Sequence, residues 1–176
     1  MATHNCSSEA EFKASVDVSG NIVLKRKSKI QQGRKSKMQG ASFELKARRD
    51  LEEKGWTVDK WSNNVDLDGG KLVSCKRVFR PVGNGRSVMS IGTGFPDFVC
   101  FDRRDNLFEV IGVEVKMNGL LNREEKEKCA WLLEQGVFGQ ILIASKIKKK
   151  NRVKIEYLDF LEIKRDIRSG CVETHK

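Results

Sequence analysis

Two periodicities alternate along the chain. Over residues 40–54 apolar side chains return at helical spacing, with Phe43, Ala47 and Leu51 on one face and Gly55 as the stop. A second helix is predicted to open at Asn122, a good N-cap, with Glu125 three positions on completing a capping-box pattern. Cys129, Leu132 and Leu133 supply its apolar stripe and Gly136 ends it. Around these helices the rhythm is that of strands. Residues 56–61 alternate, residues 95–101 and 107–116 read as a hairpin about the polar turn 102–106, and Pro96 takes the first strand position. Residues 140–144 form a short, strongly apolar segment, as in a strand buried on both faces, and residues 153–158 alternate again. Residues 14–25 predict a small hairpin turning at Ser19-Gly20-Asn21. Within 62–93, Val65 to Leu67 would pair with residues 71–79 about Asp68-Gly69-Gly70, before a loop holding Pro81, Gly83 and Gly85. A short helix is expected over 161–167. The order helix, three strands, helix, two strands predicts a mixed α/β sheet flanked by helices, with an N-terminal hairpin and a β-insertion.

Charged residues break this pattern in a few places. Asp97 stands at the mouth of one apolar strand, and Glu114 and Lys116 share one face of another while Val113 and Val115 share the opposite face. Such charges are costly in buried strands unless they are paired or bind a cation. Two carboxylates and an ammonium suit a hard metal ion that ionises a water beside a phosphodiester. On the first helix Glu44 falls about 20° from Leu51 and about 60° from Ala47, so its carboxylate is aimed toward the buried side. Plainer readings exist for each: a rim glutamate at Glu44, a turn carboxylate at Asp97, an exposed ion pair at Glu114 and Lys116.

Composition narrows the chemistry. The 176 residues suffice for one domain with a real core; 39% are hydrophobic and 33% charged. Both histidines, His4 and His175, lie at the ends, so a central Ser-His or Cys-His system and His-ligated zinc are set aside. The five cysteines are scattered without zinc-site spacing and read as packing residues in a reducing compartment. With no signal-peptide pattern and no membrane-spanning run, a cytoplasmic location is expected.

Glu44 on its helix, Pro96-Asp97 at a strand opening and Glu114-Val115-Lys116 on the next strand resemble the PD-(D/E)XK nuclease superfamily. Residues 40–55 look like the opening of archaeal Holliday-junction resolvases and their relatives. The resemblance covers roughly residues 40–60 and 94–145 and implies a restriction-endonuclease-like fold with an αβββαβ core. It implies Mg²⁺ or Mn²⁺ held by Asp97, Glu114 and the Val115 backbone carbonyl, with Glu44 as an additional ligand. Lys116 would orient the attacking water and offset phosphate charge. The helix after the lysine departs from RecB-like members, offering Glu124, Glu125 and Lys126 where they carry glutamine and tyrosine.

A net charge of +10, from 34 Lys and Arg against 24 Asp and Glu, favours a polyanion partner. The excess clusters at residues 25–37 and 146–154. The first run contains no acid and reads as a mobile arm or a contact strip, with Arg34, Lys35 and Lys37 as candidate phosphate contacts. Lys148, Lys149, Lys150 and Arg152 are the candidates in the second run, read as a basic turn. Neither run interleaves aromatics, which favours duplex or branched DNA over stacked single strands. The expected organisation is an arm over 1–39 and a nuclease-like domain over 40–176, with an insertion at 62–93. The expected activity is metal-dependent DNA endonuclease, as a possible homodimer. The alternative is a non-catalytic nucleic-acid-binding module on the same scaffold.

Overall fold

The computed structural model describes residues 11–17, 19–75, 77–83, 86–91, 94–104, 107–149 and 152–163. The chain divides into two units, Met1–Ser42 and Phe43–Lys176.

In the first unit the alternating segments pair as an antiparallel hairpin, β1 (Phe12–Val16) with β2 (Ile22–Arg26). Its turn is held by Asp17, whose Oδ1 accepts from the Ser19 and Asn21 backbone N–H groups at 2.9 Å each. The helix α1 then runs over Lys27–Glu53, beginning well before the position expected near Gly40. The basic run is therefore helix from Lys27 onward. Lys, Gln, Arg and Met are strong helix formers, and the interior glycines Gly33 and Gly40 each cost only about 1 kcal/mol, too little to break it.

In the second unit, Gly55 ends α1 as expected: its φ of +95° is the left-handed stop, and Trp56 N–H donates to the Leu51 carbonyl at 3.1 Å. A five-stranded sheet follows in the order β11-β10-β9-β8-β3, built from β3 (Thr57–Lys60), β8 (Phe98–Arg104), β9 (Leu107–Val115), β10 (Gln140–Lys149) and β11 (Arg152–Asp159). β9 and β10 are parallel and every other neighbouring pair is antiparallel, so the sheet is mixed. The crossover between the parallel strands is α2 (Arg123–Glu134), capped by Asn122 in a full capping box with Glu125.

Both faces of this sheet are covered. Ala47 and Leu51 of α1 pack with Val58, Phe98, Cys100, Ile111, Val113 and Ala144. Cys129 and Leu132 of α2 pack with Phe95, Phe138, Ile141, Ile143 and Phe160. β10 thus contributes Ile141 and Ile143 to one side and Ala144 to the other, which explains its unbroken apolar run.

The insertion forms two hairpins: β4 (Asn63–Asp66) with β5 (Lys71–Ser74), and β6 (Arg77–Gly83) with β7 (Arg86–Ile91). The second replaces the expected loop. Its proline is tolerated because the register shifts between Pro81 and Gly83 in an isolated two-stranded ribbon. The neck of the insertion is tightly closed. A Cβ on Gly94 would lie 2.2 Å from the Trp61 carbonyl oxygen, and Phe95 N–H donates to the Asn63 carbonyl at 2.9 Å.

Three further expectations shift. Pro96 lies outside β8, which starts at Phe98, and follows a cis Phe95-Pro96 bond. The basic segment from Lys146 to Lys149 is strand, because it keeps pairing with Arg152 to Ile155 of β11. The C-terminal helix is a single turn over 160–163 before the described residues end. Among the described residues no helix is long and apolar enough to cross a membrane.

Candidate active site

β3 ends, β8 begins and β9 ends at one end of the sheet. This places Lys60, Asp97 and Glu114 near each other, though they are far apart in sequence. A cleft of about 340 Å³ opens there, lined by Glu44, Asn64, Gly94, Phe95, Asp97, Glu114, Val115, Lys116, Asn122, Glu124, Glu125 and Lys128. All four sequence-predicted catalytic residues, Glu44, Asp97, Glu114 and Lys116, line this one cleft.

Asp97 caps the strand end. Its Oδ2 accepts from the Val115 backbone N–H at 2.9 Å, leaving Oδ1 facing Lys60 Nζ at 3.7 Å. In a regular strand the N–H and C=O of one residue point to the same edge, here the edge carrying Asp97, while Lys116 N–H bonds across to the Ala144 carbonyl. The strand-end carboxylate therefore also lines the cleft.

Glu114 is buried, its side chain 6% exposed, which excludes an ion pair on an open strand face. Lys116 Nζ lies 3.1 Å from its Oε1, while its Oε2 is buried without a hydrogen-bond partner among the described residues. Burial first, and the Asp97 charge second, push the Glu114 carboxyl up to about 7 against the pull of Lys116. Asp97 is raised as well, by burial chiefly, with Val115 N–H working against it and the Glu44 charge adding to it.

Lys116 also donates to Glu125 Oε1 at 2.5 Å, while Glu125 Oε2 accepts from Asn122 N–H at 2.9 Å. One carboxylate thus serves both the helix cap and the lysine. Burial lowers the Lys116 pKa, but its bonds to Glu125 and Glu114 outweigh this and raise it, so the group remains an ammonium at neutral pH.

Sequence reasoning missed three side chains here. Lys60 Nζ donates to Glu44 Oε2 at 3.0 Å. Asn64 comes from the insertion. Lys128, 12% exposed, pairs with Glu124 at 2.6 Å and lies 5.8 Å from the Phe95 ring centroid. Only Lys128 left a trace, as the i,i+4 partner of Glu124 on the face carrying Glu125.

Four carboxylates (Glu44, Asp97, Glu114, Glu125) against two ammonium groups (Lys60, Lys116) leave a formal excess of two negative charges. The Glu124–Lys128 pair adds none. Among the described residues, no group of three or more His, Cys, Asp or Glu side chains is already assembled around a metal position.

The candidate DNA-contact residues are divided. Arg34, Lys35 and Lys37 are exposed on α1 in the first unit. Lys148 and Arg152 are exposed at the tip of the β10–β11 hairpin. Lys149 lies beside them in β10 with its side chain outside the described set, and Lys150 is not among the described residues. β10 runs parallel to β9 with Ala144 beside Val115, so Lys148 lies roughly 13 Å further along, at the end of the sheet where the cleft opens.

No protein-family model matches this chain, and neither a curated protein nor a solved structure is significantly similar to it.

Proposed function

We propose that the chain is a divalent-metal-dependent DNA endonuclease of the PD-(D/E)XK type, with a restriction-endonuclease-like core. The observation that carries this reading is the meeting of Glu44, Asp97, Glu114 and Lys116 in one cleft at the end of a mixed sheet.

The donors fit a hard cation. They are carboxylate oxygens with a formal excess of two negative charges, and the buried Glu114 Oε2 lacks a partner among the described residues, which a cation would supply. Asp97, Glu114 and the Val115 carbonyl would hold Mg²⁺ or Mn²⁺, with Glu44 as a further ligand. The ion, when bound, supplies a more acidic water and neutralises charge on the phosphate.

The rest falls to the chain. Lys116, fixed between Glu114 and Glu125 and kept protonated, acts as a hydrogen-bond donor to the attacking oxygen or to a non-bridging phosphate oxygen, and not as a base. Val115 N–H fixes one oxygen of the Asp97 carboxylate, and the other, which faces the exposed Lys60 at 3.7 Å, is the one a cation would take. Water attack would form a new P–O bond as the bond to one sugar oxygen breaks, the water giving up a proton to solvent and the leaving sugar oxygen taking one from solvent.

The test is cleavage of plasmid DNA with Mg²⁺ or Mn²⁺. Asp97→Asn, Glu114→Gln and Lys116→Ala are each expected to lower cleavage by about a hundredfold or more while DNA binding persists. A second reading, the non-catalytic binding module, draws on the engagement of Lys116 by Glu125 and on the absence of a preassembled acidic trio among the described residues. Wild-type protein that binds DNA but cleaves nothing with either ion would decide for it.

A further inference from the structure

Lys60 belongs to no part of the motif, yet its ammonium pairs with two of the cleft's carboxylates, Glu44 and Asp97. It sits at the end of β3, opposite Phe98 in the ladder, with its ammonium 4.7 Å from the Phe98 ring centroid. From there it reaches Glu44 Oε2 at 3.0 Å and Asp97 Oδ1 at 3.7 Å. The second oxygen of Asp97 is already taken by Val115 N–H, so Lys60 occupies the outward oxygen of Asp97 and an oxygen of Glu44 together. Its side chain is 46% exposed, so the ammonium can leave for solvent without unpacking the core. Glu114, nine-tenths buried and lining the same cleft, keeps an oxygen without a partner among the described residues. The acidic set is therefore incomplete even with both lysines in place.

Resting on the metal-dependent reading above, we propose that Lys60 is an intramolecular competitor of the divalent cation, a positioning residue whose ammonium holds Glu44 and Asp97 together until the ion displaces it. Without Lys60, two carboxylates repel across the cleft. With it, both are held on one ammonium, which competes with the cation for the same oxygens. Displaced, the ammonium is released on the solvent side of the cleft, where an incoming phosphate supplies its next partner.

Calorimetric titration with Mn²⁺ alone, without DNA, tests this on the full chain. Lys60→Gln is expected to bind Mn²⁺ about fivefold more tightly than wild type, the size expected for removing one half-exposed charge pair. Lys60→Arg is expected to return the affinity to near the wild-type value, and thermal melts confirm that both variants fold. Equal or weaker Mn²⁺ binding by a folded Lys60→Gln protein overturns the role of Lys60 and leaves the nuclease reading standing. Binding by Lys60→Gln where wild type shows none supports strong competition. No binding by either protein removes both the Lys60 role and the metal-dependent reading.

Discussion

At the scale of single residues, Glu114 shows why this cleft is an unfavourable place for a carboxylate with no cation. Burial and the neighbouring Asp97 raise its pKa from the usual 4.5 to about 7. The folded protein therefore holds the Glu114 proton more tightly than the unfolded chain does. Stability from this source is complete below about pH 4.5 and is lost as pH rises through about 7, on the order of 2 kcal/mol. Asp97 is raised too and contributes with the same sign. The elevated Lys116 pKa acts only in the alkaline range near and above its ordinary 10.5, outside this window. Urea denaturation with chelator present, at about pH 5 and about pH 8, should show wild type losing stability on the alkaline side. Glu114→Gln should lose distinctly less, retaining only the Asp97 part. Parallel pH profiles for the two proteins would dismiss the buried-acid account of Glu114.

At the scale of elements, legibility followed how local the cause was. The α2 cap was readable because its chemistry spans four residues: Asn122 Oδ1 accepts from Glu125 N–H at 2.9 Å and Glu125 answers through Oε2. The β10 core was readable because the four consecutive residues Ile141 to Ala144 carry one message. The α1 start was not, since Gly33 and Gly40 mimic breaks and nothing in a lysine-rich run distinguishes helix from arm. The β6–β7 hairpin was hidden behind Pro81 and its register shift. Lys60 was invisible for a different reason: its partners are 16 and 37 positions away and become neighbours only once β3 pairs with β8. Because Glu125 links the cap to Lys116, Asn122→Ala tests the element. Loss of the Asn122 side-chain bond should cost about 1 kcal/mol, read as a lower midpoint in chemical denaturation with an unchanged slope. No change would mean that the Glu125 bonds alone hold the first turn of α2.

At the scale of the molecule, the decisive arrangement is acid within the cleft and base outside it. The +10 charge belongs to the whole chain, while the cleft itself carries an excess of carboxylates. On the proposed function, a polyanion would have to be held from elsewhere and guided in, because a cleft with excess carboxylates and no cation repels phosphate. The β10–β11 hairpin is the candidate for that role. It continues past the end of β9 on the cleft side, and α1 braces it through Lys46 Nζ, which donates to the Val153 carbonyl at 2.7 Å. Each Lys or Arg that neutralises a phosphate adds about 0.9 to the slope of log affinity against log salt. Replacing Lys148, Lys149 and Arg152 together by glutamine should weaken duplex binding and flatten that slope by between about one and about three. Arg34, Lys35 and Lys37 belong to the other unit, so their neutralisation should flatten the slope independently if they too touch phosphate. Fluorescence anisotropy with a labelled duplex across a salt series measures both sets. A triple hairpin variant with the wild-type slope would take this hairpin off the DNA path, and the steering of substrate into the cleft would then have to come from another surface.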